Sequence, residues 1–297
     1  MAAALFAAAP AAVLAFLATF AESAQPVLSL LEPAQPALLW AALCFLLHHA
    51  LLHLFFPARG SKLTPARRVD LANTAVSSVH ATILFAGAVA HALPLWDARA
   101  PLSLLRPTSV CPNTPVQNLW CERMLGYLLY DCVLGVARPL DALIWVHHLL
   151  GVVSLGSQRL ANCGGSYLML VHLAEGSTPF LHAATSLHAL HCDSWLLYRA
   201  AAVGTLITFS TLRTFVQPQV WWHLLHSREQ WEAGGDGGGA LWAFQLVVDG
   251  CFVLLNLFWW TKLLQRAFGK GGKPKLSKGK GRKDSAPAAE VETTHTE

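Results

Sequence analysis

The chain has 297 residues, 54% hydrophobic and only 13% charged, with a mean hydropathy of +0.44 and a formal net charge of +4. A soluble domain carries about 25% charged residues, so a soluble core-and-shell protein is excluded and an outer surface facing lipid is implied. The positive charge does not mark a nucleic-acid binder: nine of the 21 basic residues fall between Lys262 and Lys283, and the tail that holds most of them, from Gly269 on, has no aromatic interleaving.

A helix needs about 20 mostly apolar residues to cross a bilayer. Residues 1–24 form an apolar N-terminal segment whose core, Met1–Phe20, lacks a basic leader. It reads as a signal segment or an extra span. Seven spans follow: Leu38–Phe56, Ala72–Leu93, Met124–Ala137, Ala142–Gly156, Tyr167–His188, Trp195–Val216 and Leu241–Leu264. The third and fourth are short and separated by Arg138-Pro139-Leu140-Asp141, which reads as a tight hairpin turn. The fold class is therefore all-α, a polytopic transmembrane helix bundle of about seven spans, eight with the N-terminal segment. One membrane domain covers 38–264. Residues 266–297 read as a disordered basic tail, suited to anionic lipid at a membrane surface or to serving only as a topology signal.

Loop charges set the orientation. Arg59, Lys62, Arg67 and Arg68 crowd one loop, and Arg138, Arg199 and the basic tail share its side. The positive-inside rule places that side, with the C-terminus, in the cytosol. The opposite loops are Pro94–Cys121 and Gln217–Ala240. The glycine-rich stretch at 233–239 in the second is a flexible loop, because no strand precedes it and no Lys-Ser/Thr follows it. Tryptophans near the span ends, Trp221, Trp222, Trp231, Trp242, Trp259 and Trp260, suit interfacial anchoring. The seven cysteines contain no CxxC pair, so no zinc site is expected. Cys111, Cys121 and Cys163 fall in loops on one side, and a Cys111–Cys121 disulfide fits if that side is an oxidising lumen.

Ionisable side chains are costly in hydrocarbon and persist there with a partner or a task. His147 and His148 are adjacent inside an apolar span, and Glu175 lies near the middle of the next one. Asp131 and His80 occupy neighbouring spans at similar depth. His172, Glu175 and His182 are spaced by three and seven and share a helix face; Thr178 and Pro179 interrupt that helix and free backbone for a cavity. These residues predict a partly hydrated pocket containing His80, Asp131, His147, His148 and Glu175. There a histidine can act as general base and the carboxylate can orient it. The plainer alternative is that they only hydrogen-bond helix to helix. Arg213 and Asp249 predict a stabilising ion pair, and Asn256 a contact between helices. His49 and His53, His188 and His191, and the 147–148 doublet form three histidine motifs near the cytosolic side, a pattern open to a membrane di-iron site, although HxxHH boxes are absent.

Six blocks run in order along the chain: RRVDLANTAVSSVHATILFAG, GYLLYDCVLG, WVHHLLGVVSLG, YLMLVHLAEGSTPFLH, LRTFVQP and VLLNLFWWTKLL. Together they resemble the TLC-domain membrane proteins, a family that includes the ceramide synthases, over about Leu38 to Leu264. The resemblance implies a helical bundle around a lipid-binding cavity, usually in the endoplasmic reticulum. It marks His80, Asp131, His147, His148, Glu175 and Arg213 as the polar positions of interest; His172 joins the candidate pocket through the helix face it shares with Glu175. Ceramide synthases carry a pair of aspartates after the histidine block, whereas HLAEGSTP here has only Glu175. The chain therefore looks more like the branch concerned with membrane lipid composition. Three functions follow: a protein that handles a membrane lipid or acyl chain, without a cofactor or metal; an acyltransferase using acyl-CoA, with His147 or His148 as base and Glu175 orienting it; and a di-iron oxidase.

Overall fold

The computed structural model describes residues 34–56, 63–95, 109–137, 141–192, 196–235 and 237–268. The N-terminal segment, the loop carrying Arg59 and Lys62, the turn at 138–140 and the tail from 269 onward lie outside them. The described residues are helical, with no strand among them. In chain order the helices are α1 (Gln35–Leu54), α2 (Pro65–Ala92), α3 (Pro115–Ala137), α4 (Ala142–Leu160), α5 (Gly165–Val171), α6 (Thr178–Ala189), α7 (Leu196–Thr208), α8 (Gln217–Leu225), α9 (Arg228–Glu232) and α10 (Gly238–Phe268). A 3-10 segment, His172–Ser177, joins α5 to α6, and a π-helical segment, Phe209–Val216, joins α7 to α8.

Three helices, α1, α2 and α10, are by themselves long and apolar enough to cross a membrane. At about 1.5 Å per residue, the 31 residues of α10 exceed the roughly 30 Å of a hydrocarbon core. Large apolar side chains point outward, among them Leu39, Leu46, Val136 and Leu254, while polar ones are buried, among them Asn73, Gln117, Asp131, Gln158 and Gln245. This inverts the soluble pattern and suits a bundle bathed in lipid.

The helices begin where local chemistry allows. Thr64 accepts a hydrogen bond from the Arg67 N–H at the start of α2, and Pro65 follows it in the first turn. Asp141 accepts from the Leu143 N–H and caps α4. α3 starts nine residues before the expected Met124. Thr114 and Gln117 form a reciprocal capping box, with the Thr114 N–H donating to Gln117 Oε1 (2.8 Å) and the Gln117 N–H donating to Thr114 Oγ1 (3.3 Å). The polar residues that resemble a loop are spent on internal contacts: Gln117 donates to Ser166 Oγ at 2.8 Å, and Glu122 pairs with Arg159 at 2.7 Å.

Cys121 thereby becomes a buried helical residue, so the Cys111–Cys121 disulfide does not form; Cys111 is bonded to Cys163 instead. The expected loop Gln217–Ala240 is also corrected. It holds α8 and α9, and Trp231 of α9 is fully buried against Tyr167 and the start of α5. The turn into α5 needs Gly164, whose φ is +89° and whose absent Cβ would meet the Trp231 ring at 2.5 Å.

α1 packs on α3 and α2, and α3 packs on α4. α4 packs on α10, α10 on the π segment and α8, and α2 on the 3-10 segment and α6. α5 lies inside, against α2, α3 and α8.

Candidate functional site

Two helical rods lose regular geometry at the same place, each just before a proline. Proline has no N–H, and its ring crowds the carbonyl four residues back. Ahead of Pro179, the Thr178 N–H bonds to the Glu175 carbonyl, three residues back. Ahead of Pro218, the Gln217 N–H bonds to the Leu212 carbonyl, five residues back. The first break presents Glu175 and the second presents Arg213. Such π segments recur at functional sites.

The two breaks face each other. Arg213 Nε donates to Ser177 Oγ at 2.8 Å, Nη2 donates to Thr178 Oγ1 at 3.0 Å, and Nη1 reaches Asn256 Oδ1 at 3.4 Å. Arg213 Nη2 lies 3.6 Å from Glu175 Oε1, and Thr178 donates to Glu175 Oε2 at 3.0 Å. A buried charge pair is tolerable only when its remaining donors and acceptors are satisfied, and here hydroxyls and an amide do that. Asn256 also donates to Gln217 Oε1, so it bridges α10 and α8, as a contact between helices should.

Beside this pair is a partly open cavity of about 70 Å³. His147, Gly151 and Ser154 of α4 form one wall, and His172 and Glu175 form another. Arg213, Gln217, Asp249, Phe252 and Asn256 close it, with Met124 and Leu128 of α3 beneath. The ion pair of Arg213 with Asp249 is not formed: Arg213 turns to Glu175, and Asp249 faces the cavity with no hydrogen bond or ion pair to the described residues. The cause is local, since the π segment aims Arg213 at the residues freed by Pro179. α10 is tied to α4 near the cavity through Gln245, which accepts from Ser154 Oγ at 2.7 Å and donates to Ser157 Oγ at 2.8 Å.

The histidine doublet divides. Adjacent residues on a helix point about 100° apart. His147 faces the cavity with its ring against Phe252 and Trp259 at 5.0 and 5.4 Å, and its Nδ1 is buried without a hydrogen bond. His148 turns toward α3, where its Nε2 is 3.4 Å from Asp131 Oδ2. Asp131 Oδ1 accepts from Asn73 at 2.9 Å, Asn73 Oδ1 accepts from the Tyr130 hydroxyl at 2.8 Å, and that oxygen is 2.8 Å from His48 Nδ1. This chain of side chains crosses four helices, all buried. Sequence reasoning missed His48, Asn73 and Tyr130 because only the packing of α1 and α2 on α3, which brings His48 and Asn73 to Tyr130 and Asp131, distinguishes them.

His80 does not line the cavity but lies behind its wall. Its Nδ1 accepts from Trp40 Nε1 at 3.1 Å, its ring stacks on Tyr127 at 4.1 Å, and its Nε2 is 3.5 Å from the sulfur of Met124, a lining residue. The single pocket of five groups is therefore three separate environments: His80 with Trp40 and Tyr127, Asp131 with His148, and His147 with Glu175 around the cavity. Glu175 contacts Arg213 and Thr178 and orients neither histidine of the doublet. His182 meets Ser78 Oγ at 3.3 Å and does not line the cavity, because the 3-10 segment breaks the face it would share with His172. His172 lines the cavity with both ring nitrogens buried and unbonded.

His49 and His53 contact each other at 4.3 Å, yet among the described residues no three His, Cys, Asp or Glu side chains converge as metal ligands. The three histidine motifs are not assembled into a di-iron centre there.

No curated protein matches the chain. A family model, the TLC domain, matches residues 70–265. That span runs from the second turn of α2 to the last turns of α10 and contains the cavity and both proline breaks, so the chain belongs to the TLC-domain family of membrane proteins.

Proposed function

We propose that this protein crosses the membrane seven times, holds the polar end of a membrane lipid in the cavity between α4, the 3-10 segment, the π segment and α10, and thereby acts on membrane lipid composition. A TLC domain implies a lipid-related membrane function. The observation that carries the finer reading is the cavity itself. A charge pair, a second carboxylate and two histidines are gathered where an apolar bundle has no structural need for a polar hollow. The cavity is small, about 70 Å³, so in this reading it takes the polar end of the lipid while the acyl chains remain among the lipid-facing side chains.

The seven-span count takes the α5–α6 rod and the α7–α8 rod as one span each. The Cys111–Cys163 bond supports the orientation, since it calls for an oxidising compartment at that end. The other end, with the basic tail and its affinity for anionic lipid, then faces the cytosol. An endoplasmic reticulum location fits both. The test is lipid extraction from purified full-length protein followed by mass spectrometry. A lipid recovered in near-stoichiometric amount, and lost when Phe252→Trp fills the cavity, is the expected result. Protein that carries no lipid above the detergent background would refute the reading.

A second reading, acyl transfer from acyl-CoA to a lipid amine or hydroxyl, is favoured by one observation. His147 presents a buried, unbonded Nδ1 to the cavity. It would take the proton of the attacking amine or hydroxyl while the CoA thiolate leaves. His148 would act through the helix, held by Asp131. Acyl transfer that survives in His147→Ala would remove this reading.

A further inference from the structure

The groups around the cavity are unevenly used. Arg213, its cation, is spent on Ser177, Thr178, Asn256 and Glu175. Asp249 is 7% exposed, lines the same cavity and has no partner among the described residues. His147 Nδ1 and both nitrogens of His172 are likewise buried and unbonded. Glu175 is paired with Arg213, so Asp249 is the carboxyl on the cavity wall that has no cation beside it among the described residues.

A lone carboxylate in a low-dielectric site is strongly unfavourable. A ligand that brings one positive charge and several N–H donors removes that cost. A phosphate placed at Asp249 does the opposite, because the arginine is already committed and the carboxylate would repel it, so a phospholipid must enter ammonium first.

We infer that Asp249 is the anchor of a headgroup site selective for lipids bearing a primary ammonium. This rests on the lipid-holding reading above and goes beyond it by naming the recognised group and the residue that recognises it. The ammonium donates to Asp249 and to the free imidazole nitrogen of His147 or His172, and the chains stay outside. A quaternary ammonium carries the same charge with no N–H, so it makes none of these hydrogen bonds.

The experiment uses full-length protein in detergent with dioleoyl lipids that differ only in the head: phosphatidylethanolamine, its N-methyl and N,N-dimethyl forms, and phosphatidylcholine. Binding is read by native mass spectrometry and by the rise in melting temperature. Phosphatidylethanolamine should bind about tenfold or more tighter than phosphatidylcholine, the scale of one charge-assisted hydrogen bond, and affinity should fall with each methyl added. Asp249→Asn should erase that preference and, with no lipid added, melt no lower than the wild type. If Asp249→Asn does not purify, the methylation series on the wild type still decides. Equal binding of all four lipids, or a preference that survives in Asp249→Asn, would overturn the inference while leaving lipid holding intact. No binding of any lipid would overturn both. Soluble ethanolamine should give no rise in melting temperature; a rise as large as the lipid's would assign the site to a water-soluble amine instead.

Discussion

Two buried polar groupings lie on either side of α4, and they differ in one respect. In the chain from His48 through Tyr130, Asn73 and Asp131 to His148, every side chain meets another, from four different helices, and the one buried atom left without a hydrogen bond is His148 Nδ1 at its end. In the cavity, Asp249 and His172 have no partner among the described residues, and His147 leaves a nitrogen unused. A connected network of this kind rigidifies a bundle. An unsatisfied one costs stability unless something else occupies it. The neighbours His147 and His148 thus do different work, the first open to a ligand and the second part of the scaffold that fixes the rotation of α4.

Breaking the one strongly paired element of the cavity should have the largest effect. Arg213→Ala strands Glu175 in the bundle and should cost about 3–5 kcal/mol, seen as loss of monodisperse protein on size exclusion. The double variant Arg213→Met, Glu175→Leu should recover much of it, since no charge is then left alone. Failure to recover would mean that the hydroxyl contacts to Ser177 and Thr178 matter more than the charge pair. Next comes Cys163→Ser, which opens the covalent tie between the segment before α3 and the turn before α5. With the cysteines 52 positions apart in sequence, the loss should be about 2–4 kcal/mol, and reductant should lower the wild type's melting temperature to match. On the scaffold side, Tyr130→Phe removes the hydroxyl that bonds Asn73 and contacts His48, and should cost about 1–3 kcal/mol. If the two groupings are separate, that variant keeps the wild type's lipid preference.

How much of this was legible in the sequence depends on the kind of fact. Helical class and membrane character follow from long apolar segments, and TLC membership from six blocks in order. His147, Glu175 and Arg213 were singled out because ionisable groups in apolar spans are rare, and they do gather near one cavity. Their partners were not legible. Arg213 was assigned to Asp249 on depth alone, but depth says nothing about the π segment before Pro218 that turns the guanidinium to Glu175. The start of α3 was missed because Gln117, Glu122 and Arg123 look like a loop when hydropathy is the guide. The signal was present in Thr114-Pro115-Val116-Gln117, a capping box. The division of the histidine doublet needs the direction of each side chain, which rests on the packing of α4 between α3 and α10.

The smallest effect on stability should come from His172, and it separates the two groupings most cleanly. Its ring is 3% exposed and neither nitrogen is bonded, so the folded protein gains little from its polarity. His172→Leu keeps a similar volume and removes two unsatisfied atoms, so in lipid-free detergent the melting temperature should stay level or rise slightly. The lipid-dependent rise in melting temperature should shrink in the same variant, because the ligand loses a partner. For His148→Leu the order reverses: stability falls as Asp131 loses its neighbour, while the lipid preference persists. If His172→Leu instead destabilises the protein as much as His148→Leu does, then His172 is also part of the scaffold, and the contrast between an open and a connected network fails at that residue.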